Sequence, residues 1–155
     1  GVAPEVGGDQ HRLADVLGIA PAGIVDAQWV DNGPGWVAVE LADAEAVLRV
    51  KPNLSDPELA TVGVAGPHPA GSPWAFEVRG FFLNNGITVE DPVTGSLNAA
   101  LAQWLFESGR VKGAYRARQG TALGRRGEVR LEQDANGATW VGGRAVTYVT
   151  GQAEL

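Results

Sequence analysis

The chain has 155 residues, of which 45% are hydrophobic and 19% are charged, and its formal net charge at pH 7 is −6. This length suits one domain with a substantial core, and this composition excludes disordered and fibrous proteins. The acidic balance argues against a nucleic-acid partner, because proteins that bind phosphate backbones usually carry a basic patch.

The residue types that are rare or absent exclude several kinds of functional site. The chain has no cysteine, which excludes disulfide scaffolds, thiolate metal sites and thiol acid–base pairs. Its only histidines are His11 and His68, so no metal centre and no serine–histidine–aspartate triad is expected. No apolar run is long enough to span a membrane, and residues 1–9 lack the features of a signal peptide. The default expectation is a cytoplasmic protein that works with carboxylates, hydroxyls and backbone amides.

The first part of the chain predicts a short helix, a strand pair and two helical turns. Asp9 is the expected N-cap of the first helix, and Gly18 its end. The segment between the first two strands, 31–35, is longer than a two-residue turn, so we expect a distorted hairpin loop. In chain order, the predicted elements are a helix at Gln10–Leu17, strands at 24–30 and 36–41, and helical turns at 43–48 and 57–60.

The second part predicts one long helix among strands. Leucines at four-residue spacing, Leu97, Leu101 and Leu105, make the segment 95–108 the strongest helix prediction. In Phe76-Glu77-Val78-Arg79, polar and apolar residues alternate, which is typical of a half-buried strand. No repeat or linker is visible, so we expect one α+β domain over residues 1–155. The predicted strands are 61–65, 74–83, 114–118, 128–132, 138–141 and 145–149.

The segment from Glu90 to Ser96 combines the features of a ligand site. Proline at position 92 favours an extended Asp91, and the predicted helix begins with Thr94-Gly95-Ser96. Its first turn offers unpaired N–H donors and the positive end of the helix dipole, which suit a carboxylate. Asp91 is an acid–base candidate about one turn earlier. In the competing interpretation, Asp91 and Thr94 only cap the helix, at about 1 kcal/mol each, and composition alone leaves both interpretations open.

A family resemblance favours the first interpretation. The segment Glu90-Asp91-Pro92-Val93-Thr94-Gly95-Ser96, followed after Leu97 by Asn98-Ala99-Ala100-Leu101, resembles the E-D-P-[VA]-T-G-S-A-x-x-A-L signature of PhzF-type (phenazine biosynthesis-like) proteins. Four further blocks match that family in the same order, and together the five cover nearly all of the chain. They are Asn32-Gly33-Pro34-Gly35-Trp36, Phe76-Glu77-Val78-Arg79, the turn Gln119 to Arg125, and the closing strand Val141 to Val146.

The resemblance implies one half of the diaminopimelate epimerase-like fold, in which a curved, mostly antiparallel sheet wraps around a central helix. Two such domains enclose the active site in that superfamily. This chain resembles the C-terminal domain, and the N-terminal domain, which carries the principal acid–base glutamate, has no counterpart in it. Gly66-Pro67-His68-Pro69 is a tempting substitute for a loop of that domain, but we predict that it forms a turn.

The resemblance also implies a cofactor-independent isomerase or epimerase that transfers a proton on a small carboxylate-bearing substrate. In the phenazine enzyme, a suprafacial proton shift isomerises a dihydro-hydroxyanthranilate. Carried over by position, Asp91 is the catalytic residue, and neither a metal nor a cofactor is implied. In the family, a small residue followed by histidine is common at the positions of Leu97 and Asn98. We therefore expect the wall of the cleft to differ here from that of the family. The implied substrate-binding residues are Thr94, Gly95, Ser96, Asn32 and Gly33.

A half-cleft cannot enclose a substrate or exclude water by itself. We therefore expect a second copy in a two-fold homodimer, or a separately supplied N-terminal half, to complete the site. The alternative is a non-catalytic domain that retains the fold and serves in self-association or ligand binding.

Overall fold

The computed structural model describes residues 10–152 of the chain. The described residues contain three α-helices, which are α1 (Gln10–Leu17), α2 (Ala44–Arg49) and α3 (Gly95–Glu107). The strands are β1 (Ile24–Asp31), β2 (Gly35–Leu41), β3 (Thr61–Pro67), β4 (Phe76–Asn84), β5 (Ile87–Asp91), β6 (Ala114–Gln119), β7 (Gly127–Gln133) and β8 (Thr139–Gly142). Single turns of 3₁₀ helix lie at Pro21–Gly23, Pro57–Leu59 and Thr121–Leu123.

The eight strands form one mixed sheet in the order β1-β2-β3-β4-β6-β7-β8, with β5 paired to β4 beside that path. The β2–β3 and β4–β6 pairs are parallel, and the other five pairs are antiparallel. One edge of β4 is shared, because β6 pairs with residues 76–78 and β5 pairs with residues 80–84. The last residues of β5 and β6 therefore meet at the middle of β4.

The sheet curls around α3, which contacts β1 and β2 at one side and β7 and β8 at the other. The helix is buried on almost every face, so its leucine stripe is only part of the buried surface. Gly63 on β3 lets the helix approach closely, because a Cβ there would lie 2.2 Å from Leu97 Cδ1. The predicted α+β fold, a curved sheet around a central helix, is confirmed.

A second layer covers the other face of the sheet over β1 to β4. There α1 and α2 enclose a core that includes Leu13, Leu17, Val47, Val64 and Phe81. The prediction that β4 is half-buried is wrong for this reason. Its polar residues point toward the second layer, so Glu77 and Arg79 are 1% and 6% exposed.

Arg79 compensates for its burial with a full set of partners. Its guanidinium forms two hydrogen bonds with the Glu90 carboxylate, at 2.8 and 3.0 Å. It also donates to the backbone oxygens of Val47 and Val50, at 3.1 and 2.8 Å, at the end of α2. The arginine thus joins α2, β4 and β5.

Two other differences concern single segments. The strand β5 was not predicted, and residues 145–149, predicted as a strand, form neither helix nor strand. A strand needs a neighbour to complete its hydrogen bonds, and no described strand pairs with residues 145–149.

The expected N-cap, Asp9, lies outside the described residues. Within residues 10–152, no helix has the length and apolar character needed to cross a lipid bilayer.

Candidate active site

The predicted catalytic residue lies at the junction of β5 and β6. Asp91, the last residue of β5, is paired with Gly80 of β4. Gln119, the last residue of β6, is paired with Val78, two residues away on the same strand. The sheet topology therefore brings Asp91 and Gln119 together, although 28 residues separate them in sequence.

Gln119 is fully buried, and its side-chain amide uses its complete hydrogen-bonding capacity. Its Oε1 accepts from Thr94 N at 3.0 Å and from Asn98 Nδ2 at 2.8 Å. Its Nε2 donates to the Asp91 backbone oxygen at 3.0 Å and to Thr94 Oγ1 at 2.9 Å. We call these four residues the Gln119 network, and it fixes the loop between β5 and α3.

The interpretation of Thr94 and Asp91 as helix caps does not fit this geometry. Thr94 occupies the N-cap position of α3, but its side chain makes no capping hydrogen bond. Its hydroxyl instead donates to Asp91 Oδ2 at 2.8 Å. Within residues 10–152, no acceptor bonds to the backbone N–H groups of Gly95, Ser96 and Leu97. The first turn of α3 therefore has three unpaired donors, and those of Gly95 and Ser96 belong to residues that reach the surface, whereas Leu97 is buried.

The space in front of this turn is open at Gly95. A Cβ built on Gly95 would meet no atom within 4 Å, and the residue is exposed. Beside it, Ser96 Oγ accepts a hydrogen bond of 3.2 Å from the indole Nε1 of buried Trp36. Trp36 thus packs in the core and also orients the serine.

The turn that follows Gln119 needs glycine at position 120. Gly120 has a φ of +87°, a conformation that other residues rarely adopt. A Cβ there would lie 2.7 Å from the Pro92 backbone oxygen. The Gln-Gly pair therefore lets the end of β6 lie directly against the loop that carries Asp91.

Asn32 and Gly33 lie in the hairpin loop between β1 and β2, away from the Gln119 network. Asn32 Nδ2 donates to Gln103 Oε1 at 3.3 Å, and Gln103 is seven residues after Ser96 on α3. That spacing is about 10 Å along a helix. Gly33 has a φ of +101°, and its N–H donates to Asp31 Oδ1 at 2.9 Å. The structure thus brings Asp91, Thr94, Gly95 and Ser96 together and leaves Asn32 and Gly33 apart from them. The catalytic and substrate-binding roles of all six residues stay predictions.

A histidine–glutamate pair, His68 and Glu77, lies outside this site. His68, in the connection from β3 to β4, has its Nε2 3.0 Å from Oε2 of buried Glu77. Glu77 and Gly80 are three residues apart on β4, so the Glu77 side chain lies on the face of the sheet opposite to the one on which Gly80 faces Thr94. Among the described residues, no group of three or more histidine, aspartate or glutamate side chains is arranged to hold a metal ion.

Three site residues received no role from the sequence. Gln119 belongs to the turn quoted for the family resemblance, and that motif is the signal that could have identified it. Asn98 was noted only as a difference from the family pattern. Trp36 was quoted only as part of a block that resembles the family, and nothing local in the sequence indicates its bond to Ser96.

Comparisons with known proteins agree with the fold and with the motif. Residues 4–151 match the family model described as "Phenazine biosynthesis-like protein". An uncharacterised isomerase of Pasteurella multocida (strain Pm70) is 26% identical over 148 residues, which cover 91% of this chain and 49% of the relative. The chain spans about half the length of that curated relative.

Solved structures show the same fold. A PhzF-family phenazine biosynthesis protein of Bacillus anthracis aligns with a TM-score of 0.67 and 19% identity, over 85% of this chain and 50% of that one. A protein of Pseudomonas aeruginosa described as a predicted epimerase aligns with a TM-score of 0.67 and 21% identity, over 97% and 55% of the two chains. Both alignments place this chain on about half of a longer protein.

Proposed function

Because the chain belongs to the phenazine biosynthesis-like protein family, we propose that it forms one wall of the active site of a cofactor-independent isomerase or epimerase. The proposed reaction is a proton transfer on a small carboxylate-bearing substrate. Relatives described as an isomerase and as a predicted epimerase support this reaction class. The observation that carries the proposal is the unpaired first turn of α3 beside the Asp91 carboxylate.

In this proposal the substrate carboxylate binds at the start of α3. The N–H groups of Gly95, Ser96 and Leu97 have no acceptor among the described residues, and they lie at the positive end of the helix dipole. Gly95 leaves open space in front of them, and the Ser96 hydroxyl is adjacent. Together these groups would anchor an anion and orient the carbon next to it.

Asp91 would then act on that carbon. Its Oδ2 accepts the Thr94 hydroxyl, whereas no described residue donates to its Oδ1. A free carboxylate oxygen can take a proton from a substrate carbon within hydrogen-bond reach and return it to another. The transfer uses only Asp91 on this wall, and a group on the opposite wall would supply the second acid–base function.

A first test of the proposal is anion binding. We expect small carboxylates, sulfate or phosphate to stabilise the chain, by about 2.7 kcal/mol at 100 times the Kd. Thermal unfolding at increasing ligand concentration measures this effect. Gly95→Val should abolish it, because the added side chain would occupy the open space beside the N–H donors. The variant should fold, since a Cβ at this position meets no atom within 4 Å.

The matched control is Gly23→Val, at an exposed glycine where a Cβ would meet only Ile19 at 3.9 Å. This variant should keep the full response to ligand. A response that is absent for every anion, or that persists in Gly95→Val, contradicts binding at the first turn of α3.

The direct test is the incorporation of solvent deuterium into dihydro-hydroxyanthranilate-like and amino-acid substrates. The chain should be assayed alone and with an added N-terminal half from a relative. Exchange that requires the added half supports a shared cleft. If neither preparation exchanges deuterium, the catalytic proposal is wrong.

One observation favours the alternative function, self-association. Apolar side chains at and after β8 are exposed, among them Trp140, Val146 and Tyr148, at 63%, 55% and 91%. Exposed apolar groups that cluster on a surface mark interaction sites. We propose that this edge supports a two-fold homodimer.

Light scattering at micromolar concentration should give twice the mass of the chain. Replacing Trp140 and Tyr148 with serine should shift the mass toward that of a monomer. A monomeric mass for the wild-type chain at this concentration contradicts the homodimer.

A further inference from the structure

The orientation of the Gln119 side-chain amide is dictated by two backbone groups. The Thr94 N–H can only donate, so the atom 3.0 Å from it must be the amide oxygen. The Asp91 carbonyl can only accept, so the atom 3.0 Å from it must be the amide nitrogen. Rotating the amide by 180° would leave both the Thr94 N–H and the Asp91 carbonyl without a hydrogen-bond partner.

This fixed amide determines where the Thr94 hydroxyl sends its hydrogen. The second hydrogen of Gln119 Nε2 points to Thr94 Oγ1, at 2.9 Å. Since Oγ1 already accepts there, its own hydrogen is directed to its other polar neighbour, Asp91 Oδ2, at 2.8 Å. The order of donation therefore runs from Gln119 through Thr94 to Asp91.

We propose that Gln119 is a positioning residue, which acts through Thr94 to keep Oδ2 of Asp91 as a hydrogen-bond acceptor. This arrangement occupies Oδ2 and leaves Oδ1, to which no described residue donates, as the oxygen available to a substrate. The catalytic importance of the arrangement rests on the proposed function, whereas the direction of the hydrogen bonds rests on the backbone contacts alone.

The surroundings leave the network no other arrangement. Asn98 Nδ2 donates to the Thr94 backbone oxygen and to Gln119 Oε1, each at 2.8 Å. This holds Oε1 from a second side, although Asn98 Oδ1 has no hydrogen-bond partner among the described residues. A Cβ at Gly80 would lie 2.9 Å from Thr94 Oγ1, so the glycine provides the space for the hydroxyl.

The test compares three variants by NMR in this chain without substrate, through the chemical shift of the Asp91 carboxyl carbon at pH 7. In Thr94→Val, the hydroxyl is lost at nearly constant shape, and this resonance should move because the carboxylate loses its hydrogen-bond donor. Thr94→Ser keeps the hydroxyl and should restore the wild-type chemical shift. In Gln119→Glu, both terminal atoms are acceptors, so the Thr94 hydrogen turns away from Asp91 and the resonance should move in the same direction as in Thr94→Val.

The double variant separates this relay from a general effect of the added charge. If Gln119 acts through the Thr94 hydroxyl, Gln119→Glu should move the Asp91 resonance little further once Thr94 is valine. An additive double variant, or an unchanged chemical shift in Thr94→Val, overturns the inference. Should Gln119→Glu fail to fold, the comparison of Thr94→Val with Thr94→Ser still decides the outcome.

The exchange assay distinguishes this inference from the proposed function. If the Asp91 resonance moves as expected but no preparation exchanges deuterium, the hydrogen-bond relay stands and the proposed function fails. If deuterium exchange occurs while Thr94→Val leaves both the Asp91 chemical shift and the exchange rate unchanged, the function stands and the relay is wrong.

Discussion

Asp91→Asn is expected to reduce deuterium exchange by a factor on the order of 10²–10⁴ without unfolding the protein. An asparagine Oδ1 can still accept the Thr94 hydroxyl, which lies 2.8 Å from Asp91 Oδ2, so the loop should keep its conformation. What disappears is the group that, in the proposed function, takes up and returns a proton. The measurement is the rate of solvent-deuterium incorporation in the preparation that contains the added N-terminal half, together with thermal unfolding of the same samples.

Asp43→Asn is the matched control. Asp43 caps α2 by accepting the Ala46 N–H at 2.7 Å, and asparagine caps about as well as aspartate. This variant should change neither the exchange rate nor the stability appreciably. An Asp91→Asn protein that keeps the wild-type exchange rate would remove Asp91 from the mechanism.

Arg79→Met is expected to lower the free energy of unfolding by about 3–5 kcal/mol. The Glu90 side chain, only 12% exposed, would lose both hydrogen bonds to the guanidinium. The carbonyl groups of Val47 and Val50 would lose their donor at the same time. Chemical denaturation followed by tryptophan fluorescence measures the loss.

Arg116→Met provides the comparison at the surface. Arg116 lies 3.3 Å from Glu128, and both side chains are about half exposed, so its replacement should cost about 1 kcal/mol or less. In the Arg79→Met/Glu90→Leu double variant, no unpaired charge remains and part of the loss should be recovered. A loss below 1 kcal/mol in Arg79→Met alone would contradict the role assigned to this pair.

The sequence was sufficient to predict the elements that depend on local pattern. The leucine spacing of α3, the helical turns at 43–48 and the turn residues between β1 and β2 correspond to the observed elements. The signature around Asp91 correctly indicated a loop followed by the central helix. In these cases, the residues that determine the structure are close together in the chain.

The features that the sequence did not reveal depend on distant parts of the chain. The alternation along β4 could not show that α2 covers its polar face and buries Glu77 and Arg79. The segment 145–149 has the composition of a strand, but a strand also needs a neighbouring strand, and composition says nothing about one. Gln119 meets Asp91 only because β5 and β6 share an edge of β4, which is a property of the topology.

The saturated Gln119 amide has a consequence for molecular motion. To move the loop between β5 and α3 away from β6, the protein must break three of the four hydrogen bonds of this one side chain, together about 1.5–4.5 kcal/mol. Local opening of that size leaves only a small population of open molecules at equilibrium. The loop therefore has little freedom to act as a lid. In the proposed function, any closure around a substrate would come from the opposite wall, moving against a rigid surface.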